Sequence, residues 1–326
     1  MAWERERRAA IAAVEMASRL CADVQLRLVG SITLAKGDKS PVTVADFGAQ
    51  AIVNHHLGML FPHDPIIGEE DAAELRKPEN AALTAKVLAA IREIIPTMSE
   101  QSALSAIDRG NSMGGREGRY WTLDPVDGTK GFLRHGQYAV ALSLIQDGEV
   151  QLGVLGCPNL ALDRGNGAGS IFVATKGGGA AQIVLDDRSE WPIRVDNVED
   201  PALARFCESV ESGHTAQDES AVVAADLGIV FPPVRMDSQC KYGVVARGGA
   251  SIYLRLPTRK DYVERIWDHA AGALVVTEAG GRVTDVRGKP LDFGCGRGLE
   301  ANSGVVATNG RFHDRVLAAV AGALGE

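Results

Sequence analysis

Four acidic groups in this sequence sit where they could do chemistry. Asp46 lies in a helical stretch, Glu69-Glu70 follow the strand-like segment PIIG, Asp124 and Asp127 belong to LDPVDGT, and Asp268 to IWDHAAG. In LDPVDGT, Pro125 stiffens the turn and Gly128 lets the backbone approach a ligand closely. The two aspartates are therefore expected to project from a tight strand end and not along one helix face. Hard oxygen donors without a paired His or Cys cluster suit Mg²⁺, not zinc or copper. Carboxylates from separated segments that meet at one point can hold two metals about 4 Å apart, a geometry that clamps both oxygens of an in-line phosphoryl displacement. Each element alone has a plainer reading: DPVDG as a turn, Asp268 as a helix N-cap, Glu69-Glu70 as a solvated helix start. Their combination in this order carries the argument.

The elements that must position these groups are readable from periodicity. Helices are expected over about 3–29, 43–60 and 80–95, the last two closed by Pro62 and Pro96. WTLDPVDG, QYAVALSLIQDG and VQLGVLGCP read as strands and hairpins, and SIFVATKGGGAAQIV as a further strand pair. The polar, proline-bearing segment near residue 195 is the expected boundary between an N-terminal half, 1–194, and a C-terminal half, 195–326. Beyond it strands (RFCESV, VRMD, SIYLRLP) alternate with helices at 218–226, 238–247 and 268–279, the last stopped by Gly280-Gly281.

The chain has 326 residues, 45% hydrophobic and 23% charged, enough apolar mass for a large core or two domains. Its net charge of −8 argues against a nucleic-acid binder, which needs a basic footprint. It does not exclude a small anionic substrate, because much of the acidity would belong to a metal site that bound cations neutralise. No signal-peptide core and no apolar run of about 18 residues is present, so no membrane partner is expected. Cys21, Cys157, Cys207, Cys240 and Cys295 are dispersed without a CxxC spacing, which suggests reduced thiols and a soluble, cytoplasmic setting.

The sequence resembles the magnesium-dependent, lithium-sensitive phosphomonoesterases that include inositol monophosphatases and fructose-1,6-bisphosphatases. The resemblance rests on GEE at 68–70, DPVDGT at 124–129 and WDHAAG at 267–272, in the family's order. DKSPVTVADFGAQA, DPVDGTKGFLR, SVESGH, DSQCKY, YLRLP and EAGG extend it over nearly the whole chain, toward the 3′(2′),5′-bisphosphate nucleotidases of the plant and yeast type. It implies an α/β fold, a layered α-β-α-β-α sandwich with an α+β N-terminal half and an α/β C-terminal half. Glu69, Asp124 and the Val126 carbonyl would hold one magnesium, and Asp124, Asp127 and Asp268 a second, with two or three Mg²⁺ per site. Asp46 and Thr129 would activate the attacking water, and the amides of Gly128 and Thr129 would face phosphate. Three positions depart from the pattern: Val126 for Ile, Phe47 for Tyr, and His135 where Gly is common.

Substrate choice, by the same resemblance, falls to Ser238, Lys241 and Arg255 for the adenosine phosphate portion and to His214 near the base. Lysine supplies a point charge and arginine a planar fork for phosphate or purine. The implied reaction removes the 3′-phosphate of adenosine 3′,5′-bisphosphate, and of 3′-phosphoadenylyl sulfate as a second substrate, by a monomeric enzyme without a covalent phospho-enzyme. Two rivals share the residues: an inositol polyphosphate 1-phosphatase, and a catalytically silent nucleotide sensor. The SVESGH, DSQCKY and YLRLP segments favour the nucleotide over the inositol compound, and a silent sensor would be expected to have lost a metal or water-activating residue.

Overall fold

The computed structural model describes residues 3–30, 40–164, 167–210, 217–257, 259 and 262–325. Two long helices open the chain, α1 (Glu4–Gly30) and α2 (Ser40–Leu60), packed side by side. There follow β1 (Ile66–Gly68), α3 (Ala81–Ile94), α4 (Glu100–Asp108), β2 (Arg119–Asp127), the one-turn α5 (Thr129–Leu133), β3 (Ala139–Gln146), β4 (Glu149–Ala161), β5 (Ala168–Thr175), β6 (Gly179–Val184) and β7 (Glu190–Pro192). These strands form one sheet in sequence order; β1 runs parallel to β2 and every later pair is antiparallel.

The second part contains β8 (Phe206–Glu208), α6 (Gln217–Asp226), β9 (Val234–Arg235), α7 (Cys240–Ala246), β10 (Ile252–Arg255), α8 (Ala270–Glu278), β11 (Arg282–Thr284), β12 (Val305–Thr308) and α9 (His313–Leu324). Its sheet has the order β11-β12-β10-β8-β9.

Period-two alternation explains how the layers stack. On β3, Val140, Leu142 and Leu144 join the core beneath α1 and α2, whereas Ala139 and Ala141 point into the core shared with α7 and α8. Both faces of the first sheet are thus covered, and β3 reads as a continuous apolar run. Helix α8 lies between the two sheets and is apolar all round, with Ala270 to Val276 buried. A Cβ at Gly272 would lie 2.1 Å from Cδ2 of Tyr242, so α7 and α8 approach this closely only with glycine there. A third core, with Val223, Ile252, Val306 and Val316, joins the second sheet to α6 and α9. The layered α-β-α-β-α sandwich implied by the resemblance is the architecture observed.

The expected helices are present to within a few residues; α9 and the one-turn α5 are additions, as is α4. Its signal is local: the Ser99 hydroxyl caps the helix by accepting from the Ser102 amide, and Ala103, Ala106 and Ile107 form the buried stripe. The helix expected from residue 268 begins at Ala270, after a separate 3₁₀ turn, Ile266–Asp268. His135 has φ of +57°, the left-handed region, a conformation that favours the glycine expected there from the resemblance. Among the described residues no helix is long and apolar enough to cross a membrane.

Candidate active site

Glu69 and Asp124 are brought together by the parallel pairing of β1 and β2. Gly68 lies opposite Leu123, so the residue after each falls at the same sheet edge. Asp124 and Asp127, three apart, would point to opposite faces of a regular strand. The ladder prevents this: Asp124 pairs with Ala141 and Asp127 with Ala139, so three steps on β2 match two on β3. One extra residue at Asp-Pro-Val turns both aspartates to one face. The Asp124 carboxylate also accepts a hydrogen bond from the Val126 amide at 3.2 Å.

Gly128 follows with φ of +87°. A Cβ there would stand 2.8 Å from the Ser238 Cβ and 3.3 Å from the Gln137 carbonyl oxygen. The DPVDGT turn therefore presses directly on the Asp237-Ser238 segment, and Ser238 itself takes φ of +68° while its hydroxyl accepts from the Cys240 amide at 3.2 Å. Arg134, just beyond α5, bonds Asp237 at 2.7 Å and fastens the same contact. Gly128→Ala is expected to cost about 2 kcal/mol of stability and to lower kcat at least tenfold, as read by urea unfolding and phosphate release. Wild-type values in both would refute this packing role.

Gln239 was not singled out by sequence, yet it joins two of the aspartates. Its backbone amide donates to the Asp127 carboxylate. Its side chain donates to the Trp267 carbonyl at 2.8 Å and accepts from the Gly272 amide at 3.3 Å, bracketing Asp268 on both sides.

Asp268 also stands 3.6 Å from Nη2 of Arg255, whose Nε forms an ion pair with Glu264 at 2.8 Å. The same Glu264 oxygen lies 3.1 Å from Nε2 of His269, and Nδ1 of His269 meets the Tyr242 hydroxyl at 2.8 Å. Burial would raise the Glu264 carboxyl, but His269 and Arg255 outweigh it and hold the group at about 2. Glu264, Asp268 and His269 offer three ligand atoms within 4.8 Å of one another. With the Arg255 guanidinium beside them and both His269 nitrogens engaged, Glu264 and His269 form an ion-pair network around Arg255, and Asp268 alone of the three faces the cleft.

The carboxylates that remain are strongly frustrated. Asp124 is buried, and burial first, then Glu69, Asp127, Asp268 and Asp46, push its carboxyl well above the usual range. Glu69 opens to solvent at the rim; desolvation by its surroundings, then Glu70 and Asp127, raise it to about 7 against the lowering effects of Asp124 and Arg297. Asp268 is raised to about 7 by burial, partly opposed by Arg255 and His269. Asp46 is raised by burial and by Glu70 and Glu69, and its buried Oδ1 has no hydrogen-bond partner. Converging oxygen donors with mutual repulsion and an orphaned carboxylate oxygen suit hard divalent cations.

Asp127, Gly128, Ser238, Lys241, Arg255 and Asp268 line a single narrow cleft of about 20 Å³. Thr129 is exposed beside it at the start of α5. Lys241 is buried in its wall, with Nζ 3.4 Å from the Met236 carbonyl oxygen and 5.2 Å from the Tyr253 ring centre; burial lowers its pKa. His214 lies outside the described residues, as does the end of SVESGH. A larger hollow, about 600 Å³, lies beside Arg7, Lys176 and Trp191, and none of the expected site residues line it. Size does not mark the site here; the convergence of charge does. Gln239, Glu264 and Arg297 were missed because an amide, a glutamate and an arginine in polar loops carry no spacing signal.

A model of the inositol monophosphatase family matches residues 4–324. A relative from Emericella nidulans, named 3′(2′),5′-bisphosphate nucleotidase, is 47% identical over 98% of this chain and 98% of its own. One of the same name from Schizosaccharomyces pombe is 44% identical over 98% of this chain and 96% of its own. Among solved structures, the extragenic suppressor protein suhB of Bartonella henselae shares the fold with a TM-score of 0.63 at 20% identity, over 96% of this chain and 97% of that one.

Proposed function

Since the chain belongs to the inositol monophosphatase family, we propose that it is a 3′(2′),5′-bisphosphate nucleotidase, hydrolysing the 3′-phosphate of adenosine 3′,5′-bisphosphate to AMP and phosphate. The reading is supported by relatives of that name at 44–47% identity over nearly full length. The observation that carries it is the cleft where a frustrated carboxylate cluster meets Lys241 and Arg255. The family is generally magnesium-dependent. Here Glu69, Asp124, Asp127 and Asp268, with the Val126 carbonyl, would hold two or three Mg²⁺. When bound, the ions lower the pKa of the attacking water and offset charge on the transferring phosphoryl group.

The protein's own residues do the rest. Asp46 takes the proton of the attacking water, relayed through the Thr129 hydroxyl. The Gly128 and Thr129 amides face the phosphate oxygens as charge builds on them. Arg255, fixed by Glu264, presents positive charge on the cleft wall for the nucleotide, and Lys241 adds a second charge from behind. Ser238 lines the same wall, and His214 would sit near the base. The same wall would accept 3′-phosphoadenylyl sulfate, whose 3′-phosphate is identical.

The enzyme acts as a monomer in a reducing, cytoplasmic setting, with halves 1–194 and 195–326 meeting at the site; four buried free cysteines support the compartment. Phosphate release from adenosine 3′,5′-bisphosphate and from inositol 1,4-bisphosphate, measured side by side with Mg²⁺ and with or without Li⁺, tests the reading. The nucleotide is expected to be preferred about tenfold or more in kcat/KM, since buried cations aimed at a second phosphate go unpaired with the wrong ligand. Preference for the inositol compound would overturn it.

A further inference from the structure

Glu69 and Asp268 come from opposite ends of the sequence, and one side chain spans the gap between the segments that carry them. Nη2 of Arg297 donates to the Gly68 carbonyl at 2.6 Å, immediately before Glu69. Nη1 of Arg297 donates to the carbonyls of Gly110 at 3.3 Å and Ser112 at 3.2 Å. Gly110 in turn accepts from the Gly68 amide at 2.8 Å, so the guanidinium closes a ring around the end of β1. The same guanidinium lies 4.8 Å from the centre of the Trp267 ring, immediately before Asp268.

The backbone of Arg297 is anchored on that second side as well. Its carbonyl accepts from the Ile266 amide at 3.2 Å, and the Leu299 amide donates to the Glu264 carbonyl at 2.8 Å. Arg265 and Gly298 form an antiparallel bridge between these two bonds. Residues 297–299 are thus stitched to the segment leading into Asp268, while the side chain reaches the residue leading into Glu69. A planar fork with several fixed donors can grip three carbonyls and stack on an indole at once; an ammonium cannot. Its donors go to carbonyls, so its bonds define spacing, and its charge lies near Glu69 without being a ligand.

We propose that Arg297 is a positioning residue for the metal site, setting the separation between the Glu69 strand end and the Trp267–Asp268 turn at which one divalent cation can engage Glu69 and a second Asp268, with Asp124 shared between them. The claim rests on the reading of Glu69 and Asp268 as metal ligands. Arg297 touches neither the metal nor the substrate in it.

The test uses the full-length protein and its Arg297→Lys and Arg297→Gln variants. Mg²⁺ binding is measured by titration calorimetry without substrate, alongside melting temperature in EDTA and the kcat and KM for adenosine 3′,5′-bisphosphate at saturating Mg²⁺. The Mg²⁺ dissociation constant is expected to rise tenfold to a hundredfold in both variants, the range for lost support of a metal ligand. The nucleotide KM at saturating Mg²⁺ should change less than about threefold, because the cleft wall of Ser238, Lys241 and Arg255 is untouched. Retention of wild-type Mg²⁺ affinity by Arg297→Lys would overturn the claim, since charge alone would then suffice. A lower EDTA melting temperature with unchanged Mg²⁺ affinity would also overturn it, leaving Arg297 a brace of the fold only. Should Arg297→Gln fail to fold, the lysine variant decides. A wild-type protein that bound no Mg²⁺ while still hydrolysing the nucleotide would overturn the metal-site reading itself, and the proposal with it.

Discussion

Stripped of divalent cations by EDTA, the protein should melt at progressively lower temperature as pH is raised from about 5 to about 8, and Mg²⁺ should reverse the loss. The sign follows from the raised carboxyls. Glu69 and Asp268 titrate at about 7, and Asp124 and Asp46 are displaced in the same direction. Between the unfolded carboxylate range near 4 and the folded value near 7, the folded chain binds more protons than the unfolded one. Its stability therefore falls as pH rises across that window. The contributions do not add, because each proton taken up relieves the repulsion on the others.

Mg²⁺ competes for the same oxygens as those protons. Its stabilisation should be small at pH 5 and large at pH 8, where about 5 °C or more of added melting temperature is expected at millimolar Mg²⁺. Melting curves by circular dichroism across this pH range, with EDTA and with Mg²⁺, check it. A metal-free protein whose stability rises toward pH 8 would mean that the carboxylates do not meet as described.

The parts of this site that were legible in the sequence are those whose chemistry shows in residue type. Asp124, Asp127 and Asp268 announce themselves as acids beside proline, glycine and a small-residue helix, and the first three helices follow from apolar periodicity. What placed the aspartates on one face was not legible. An Asp-Pro-x-Asp segment reads equally as a turn, and only the ladder to β3 reveals the extra residue that aligns them. Ser238 was visible as a polar residue ahead of a helix, but its left-handed backbone and its contact with Gly128 depend on two distant segments closing on each other. Gln239, Glu264 and Arg297 escaped for the same reason. Their effect lies in which carbonyl or carboxylate they reach across the fold, and a linear pattern does not encode that. The large apolar helix α8 was recognised by its glycine stop, while its burial between two sheets followed only from the layers.

Asp46→Asn should separate catalysis from stability, and in opposite directions. Asp46 projects from α2 into a buried setting, its Oδ1 lacks a partner, and the charges of Glu70 and Glu69 act against its own. A carboxylate so placed does nothing to hold the metal-free protein together; it is destabilised by desolvation and like charge. The amide removes that charge with little change of volume. In EDTA at pH 8 the variant is expected to melt at the wild-type temperature or a few degrees above it. Its kcat should fall by about 10² to 10⁴, the span for loss of a general base, with a much smaller change in nucleotide KM. Thr129→Val, which removes the relay hydroxyl at nearly constant volume, should produce a loss of the same order. The double variant should be hardly worse than either single one, because the two groups act as one path for the proton. Multiplicative losses in the double variant would show two independent roles. Undiminished turnover in Asp46→Asn would remove the carboxylate from the mechanism and leave its strained burial without a catalytic reason.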